Sequence, residues 1–197
     1  MAVTSGVIRS PLVGINNFHL AELLTDTKEG ATYGEIISFP WLRSVNMEAT
    51  KSEGELYADN HTVDTNQTTT KYDLTVETAT LPLEYRGWLL GHKFENGVLV
   101  EKADDAAPYF CVKFDMTKSN GKKIYVTLFK VQFSEPSENP KTKEENTEYN
   151  TPTMNAKAIF REAGGIRAFA DEEEPDYLPV TGDSWYTDIE PVTSTTP

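Results

Sequence analysis

The stretch Lys122–Phe133, KKIYVTLFKVQF, constrains this chain more than any other. Apolar residues recur there at every second position. Tyr125, Phe129, Val131 and Phe133 form one row, and Ile124, Val126 and Leu128 form another on the opposite face before Lys130 and Gln132 turn it polar. A period of two is the signature of a β-strand, and apolar rows on both faces require cover on both sides along at least half the length. Its expected partner is Tyr109–Met116, YFCVKFDM, in which Phe110, Val112 and Phe114 alternate with Tyr109, Cys111 and Lys113. The connector Thr117–Gly121, TKSNG, carries the Asn-Gly signal of a tight hairpin turn.

Other segments alternate less strongly. Ile15–Glu22 reads as a strand, followed by a turn at TDTKEG and a second strand near Thr32–Phe39. Lys71–Thr78, KYDLTVET, sets Tyr72, Leu74 and Val76 against charged or hydroxyl residues, as a half-exposed strand does. Stretches near Val98–Glu101, Glu148–Phe160 and Ile166–Ala170 complete a mostly β chain. Pro152 has no N–H to give to a ladder, so the Glu148–Phe160 stretch is expected at a sheet edge or a bulge. One helix is predicted near residues 82–90: Leu81, Tyr85, Trp88 and Leu89 fall on one stripe, Pro82 suits the first turn and Gly91 a C-terminal stop. Gly87 lowers its propensity. The helix is expected to lie across the mouth or flank of a sheet, with its aromatic residues in the core.

Three segments have no apolar pattern and are expected to be mobile. Ala49, Thr50, Lys51, Ser52, Glu53 and Gly54 lie between two possible strands and are expected to cap a long hairpin. Glu135–Glu148 is polar, acidic and proline-bearing. The tail from Asp171 opens with an acidic run and ends in Thr, Ser and Pro, so it builds no core of its own and reads as an arm or a disordered end. Trp185 and Tyr186 are out of character there and are expected to dock on a neighbouring surface.

Composition narrows the function. A chain of 197 residues is long enough to bury a core without disulfides, and 38% hydrophobic with 25% charged residues suits one folded domain with extended arms. Eighteen Lys and Arg against 31 Asp and Glu give a formal charge of −13, which disfavours direct binding of nucleic acid or an anionic membrane. Cys111 is the only cysteine; it forms no intramolecular disulfide and is expected as a small buried hydrophobe in a reducing compartment. The opening residues lack the apolar core of a signal peptide, and no run of about 18 apolar residues would span a membrane.

No catalytic constellation is legible. Leu178–Gly182, LPVTG, matches the sortase signal, but the residues after it are acidic and polar rather than apolar and basic. Asn60-His61-Thr62 and Asn66-Gln67-Thr68 match the glycosylation sequon, which is too common to carry weight. His19, His61 and His92 have no partner at helical spacing, which disfavours zinc, and the carboxylates at Asp104, Asp105 and Asp171–Glu174 read as solvated faces. No cofactor or metal is expected.

Read in order, several pieces resemble one family: GINNFHLAELLTDTKEGATYGE, LYADN, LTVETATLPLEYRGWLLGHKFENGVLVE, ADDAAPYFCVKF, SNGKKIYVTLFKVQFSEPSE and TPTMNAKAI. The chain is similar along 14–170 to the phi13-type major tail proteins of long-tailed phages of Gram-positive bacteria. The first dozen residues and the tail beyond Asp171 carry no resemblance. The resemblance implies a mainly β fold, a tail-tube β-sandwich or barrel with one flanking α-helix and long hairpin and arm extensions. It divides the chain into an N-terminal arm (1–13), a tube domain (14–170) and an acidic, polar C-terminal arm or disordered tail (171–197).

It also implies a homo-oligomer: hexameric rings stacked into a hollow tail tube of the virion, made in the host cytoplasm. The implied partners are a tape-measure protein and tail-completion proteins, with viral double-stranded DNA passing through the lumen without specific binding. On this reading Ala49–Gly54, Trp185 and Tyr186 are assembly residues. The alternatives are a tail-completion or head–tail joining protein that forms a single ring, and a secreted β-sandwich adhesin or carbohydrate-binding module tethered through LPVTG.

Overall fold

The computed structural model describes residues 9–58, 61–138 and 151–192, and for the strand residues within 53–66 it describes the backbone alone. Residues 1–8 of the expected N-terminal arm, the sequon residue Asn60, the 139–150 part of the acidic stretch and 193–197 of the tail lie outside it.

In chain order the elements are β1 (Leu12–Thr27), β2 (Gly30–Tyr33), β3 (Ile37–Ser38), β4 (Leu42–Ala58), β5 (His61–Thr78), α1 (Leu83–Leu90), β6 (Lys93–Glu95), β7 (Val98–Val100), β8 (Tyr109–Lys118), β9 (Lys123–Phe133), β10 (Thr153–Ala158), β11 (Arg167–Asp171) and α2 (Pro179–Asp183). The chain is mainly β, with one large antiparallel sheet and a short helix packed on it. The sheet has nine strands in the order β2-β1-β8-β9-β10-β5-β4, with β3 added on β1 and β11 on β9; β6 and β7 pair separately.

The sheet coils round a single core. Phe39 N–H donates to the Phe18 carbonyl (2.7 Å) and Ala79 N–H to the Trp41 carbonyl (2.8 Å), so the β3–β4 connector brings the β4–β5 side of the sheet round to β1. Phe18, Leu20, Leu74, Val76, Phe110, Val112, Phe114, Val126 and Leu128 fill the interior and are almost wholly buried. Each such side chain contributes about 1.5–3 kcal/mol on leaving water.

β8 and β9 occupy the middle of the sheet and are buried on both faces, as their doubled apolar rows require. The rows are not continuous, however. The β8–β9 register shifts between Phe110 and Val112, so Val131 and Phe133 join Val126 and Leu128 on the core side, while Tyr125, Thr127 and Phe129 face the other way. A bulge changes the phase of alternation by one residue, which a strict period of two cannot anticipate.

Pro152 does not put β10 at an edge. β10 lies between β9 and β5, and Pro152 precedes it, accepting the Thr78 N–H on its carbonyl (3.0 Å). A proline just before a strand withholds no ladder hydrogen bond, which removes the conflict.

Helix α1 forms as its stripe predicts, with Pro82 at the N-cap and Gly91 at the C-cap. Gly91 has φ 73°, and a Cβ there would meet the Ala106 carbonyl oxygen at 2.3 Å, so only glycine fits. Gly87, a poor helix former, is buried where Leu99 and His92 cross the helix; a Cβ would lie 2.9 Å from Leu99 Cδ1. The helix is seated by a run of edge-to-face aromatic contacts from Phe39 through Trp41, Tyr85 and Trp88 to Phe110. The small β6–β7 hairpin beside it turns on Asn96 (φ 52°) and Gly97 (φ 81°).

Candidate assembly surfaces

β4 and β5 form one long antiparallel hairpin, paired from Leu42↔Thr78 to Ala58↔His61 with three shifts of register along it. Ala49–Gly54 do not cap it. They lie along β4, opposite Tyr72, Lys71, Thr69, Thr68, Gln67 and Asn66, and the pairing continues beyond them to Ala58↔His61. The sequence Ala-Thr-Lys-Ser-Glu-Gly is polar enough for a turn, but the Thr-rich run opposite it favours extended backbone and holds it in the ladder.

The register shifts between Thr50 and Lys51, leaving Thr70 as an extra residue on β5, whose hydroxyl donates to the Thr50 carbonyl (3.1 Å). On the body side of this bulge Tyr72, Leu74 and Val76 are buried; on the far side Lys51, Ser52, Gln67 and Thr68 are exposed. The bulge therefore marks where the hairpin leaves the body, and a bulge re-aims the strand beyond it. Among the described residues β4 pairs with nothing on its outer edge, and β10 covers β5 only from Tyr72 to Glu77. Both edges of the projecting part are thus open.

The C-terminal stretch returns across the second face of β8 and β9. Its base is held by Lys118, buried at 2% side-chain exposure, whose ammonium meets both carboxylate oxygens of Asp171 (2.7 Å) and Glu173. Burial alone would lower the Lys118 pKa; the hydrogen bonds to Asp171 and Glu173 outweigh it and raise it. The Lys118 hydrogen bond holds the Glu173 carboxyl down at about 2.

Further along, Trp185 is 1% exposed and lies on Tyr125 (5.4 Å between rings). Tyr186 Oη donates to Asp115 Oδ2 (2.7 Å), and its ring lies 4.4 Å from that of His19. Burial and the Asp115 hydrogen bond push the Tyr186 pKa up. The surface on which Trp185 and Tyr186 dock here is that of their own chain, and the stretch from Asp171 to 192 is an ordered arm.

Beneath the arm, Lys113 donates to the carbonyls of Asp188 and Ile189, and its ammonium lies 5.0 Å from the centre of the Trp185 ring. Burial pulls the Lys113 pKa down to about 8 and pushes the Cys111 thiol beside it up to about 12. Cys111 is therefore packed and inert at neutral pH, as its position in the alternation suggests. The LPVTG residues sit in this arm: Pro179–Asp183 form α2, Thr181 is buried and its hydroxyl donates to the Val192 carbonyl (2.8 Å). A transpeptidase needs an extended, accessible chain, and in this fold the motif is helical with its threonine buried.

A third cluster joins the end of α1 to the segment after β9. His92 bonds Asp105 through Nδ1 (2.8 Å) and Glu135 through Nε2 (2.7 Å), and Arg86 bonds Glu101, Glu135 and Glu138. Burial would lower the His92 pKa, but the hydrogen bonds to Asp105 and Glu135 outweigh it and hold the ring above its usual value. His92, Glu101 and Glu135 bring ligand-type atoms within 4.8 Å of one another, the only such set among the described residues. The Arg86 guanidinium bonds both carboxylates and supplies the countercharge a metal would bring. The cluster is not legible from sequence, because its carboxylates lie up to 52 residues from Arg86 along the chain.

No family model and no curated protein matches the chain. Among solved structures, the chain is similar to the tube-terminating cap of the anti-feeding prophage at 9% identity and TM-score 0.49, covering 87% of this chain and 99% of that one. It is also similar to a chain of the sheath–tube complex of an extracellular contractile injection system in its extended state, at 10% identity and TM-score 0.43, over 82% and 92% of the two chains. A chain of the anti-feeding prophage baseplate matches at 10% identity and TM-score 0.44, over 85% and 100%.

Proposed function

We propose that this chain is a structural subunit of a phage tail tube. Copies join edge to edge into rings, hexameric as the sequence resemblance implies, and rings stack into a hollow tube. The tube encloses a tape-measure protein, is closed by tail-completion proteins and later passes viral DNA.

The observation that carries this reading is the outer edge of β4 along Leu42–Ala58, which pairs with no strand among the described residues. An unpaired edge of that length is a template for another strand, and proteins that do not polymerise blunt such edges. A second copy of the same chain is the partner that closes it into a ring with point symmetry. The projecting half of the hairpin, exposed at Lys51, Ser52, Gln67 and Thr68, then has a role in contacting an adjacent ring. The formal charge of −13 suits a channel for DNA, since like charge keeps the duplex from sticking to the wall. Lysine in place of lumen carboxylates should slow ejection without blocking assembly.

The test is to shorten the hairpin by excising 52–68 and closing it with an Asn-Gly turn. The body should keep its circular dichroism and thermal midpoint, because the core residues Tyr72, Leu74 and Val76 of β5 all lie outside the excised segment, while stacked tubes seen for the intact chain by negative-stain electron microscopy should be lost. Tubes of normal length from the shortened chain would contradict the stacking role. Single rings from the intact chain would favour the tail-completion reading.

A further inference from the structure

We propose that residues 174–192 form an exchangeable arm: in the assembled protein Trp185 and Tyr186 of one copy seat on the Lys113–Asp115–Tyr125 face of a second copy. The inference rests on the self-assembly reading above and adds the means by which copies are tied together.

The seat under the arm is built unlike a permanent core. Four buried side-chain polar atoms lack a partner among the described residues, and three of them, Asp115 Oδ1, Thr127 Oγ1 and Trp185 Nε1, belong to this one seam. Buried polar groups are ordinarily satisfied, and each orphan weakens the contact that buries it. Lys113 and Asp115, both almost wholly buried, would be solvated if the arm lifted. Opening the seam therefore releases groups that water stabilises, whereas opening the other face of the same strands exposes phenylalanine and valine.

The arm is also divided into a fixed and a free part. Lys118 clamps Asp171 and Glu173, and Tyr125 Oη donates to Glu172 (2.8 Å), so the base stays with its own body. Beyond it, residues 174–184 reach about 36 Å when extended, about the diameter of a small domain. Trp185 can thus reach a neighbour while its base remains anchored. The occupant is specified by complementarity: every contact that seats the arm at home is present on an identical neighbour, which is the condition for exchange of an element between protomers.

The test uses a pair at the rim of the seam, where Arg161 bonds Glu190. R161C copies and E190C copies are mixed, concentrated and treated with a short bifunctional maleimide. The R161C/E190C double variant reports the arm at home, and the unaltered chain reveals any product formed through Cys111 when the arm lifts. The expected result is a covalent dimer from the mixture once assemblies are visible by electron microscopy, and only within-copy product from the dilute double variant. Assemblies that give no covalent dimer, while the double variant still links within a copy, would overturn the exchange and leave the tube reading intact. Absence of both assemblies and dimer at every concentration would overturn both.

Discussion

Along β8, Phe110, Val112 and Phe114 turn to one side and Cys111, Lys113 and Asp115 to the other, and β9 repeats the division with Val126 and Leu128 against Tyr125 and Thr127. Both faces are shut off from solvent, yet they are closed differently. The first meets the rest of the sheet and α1 through mostly apolar side chains, and the indole N–H of Trp88, which packs on Phe110, is satisfied by Glu22. The second meets a chain segment that brings two aromatic rings and several carbonyls, and it leaves polar atoms without partners. Burial alone therefore does not measure how firmly a face is held. The apolar face sustains the fold, and on the exchange proposal the polar face is a seat that the arm can leave.

The strongest way to break this contrast is to hollow each face in turn. Phe114→Ala should lower global stability by about 3–5 kcal/mol, read by denaturant unfolding, because the cavity lies in the body every other element packs on. Trp185→Ala removes a larger side chain that is equally buried, but its effect should stop at about 1–2 kcal/mol. Once the arm has left its seat nothing further is lost, and hydrogen exchange should rise in β8 and β9 backbone near the seat while the rest of the sheet stays protected. An equal loss in the two variants would dissolve the distinction.

Thr127→Val sharpens it with the opposite sign. The hydroxyl has no partner, so an isosteric methyl should raise the thermal midpoint, by about 1 kcal/mol of added stability. The smallest effect concerns pH. Burial holds Lys113 at about 8 against 10.5 for the free side chain. Between these values the released Lys113 holds a proton that the docked one has lost, so the Lys113 contribution to docking grows as pH rises through that window and is smallest below it. Lys113→Met should flatten the slope, with tryptophan fluorescence of Trp185 as the readout.

Much of this was legible in the sequence, because period-two alternation reports burial directly. The central hairpin, the half-exposed strand ending at Thr78, and the helix with its Pro82 start and Gly91 stop all appear where the pattern places them. The doubled apolar rows of β9 also announced a covered second face, though not what covers it. The misread parts have physical causes. The phase change near Val131 comes from a bulge that only pairing with β8 imposes, and Pro152 is harmless because it lies one residue outside its strand. Ala49–Gly54 looks like a turn locally and is held straight by the strand opposite. The Asn96-Gly97 dipeptide carries the turn signal of the β6–β7 hairpin, but the strands it joins are only three residues each and too short to show an alternation. The arm was the least legible region, because Trp185 meets Tyr125 and Lys113 only after the sheet has formed to receive it.

The central claim is that the chain is complementary to itself. Sedimentation velocity over a rising concentration series, with electron microscopy of the heaviest fraction, tests it most directly. The account predicts a jump from single subunits to rings and stacked rings, with or without the tape-measure partner present. A species that stays one subunit in size across the whole series, under both conditions, would contradict it.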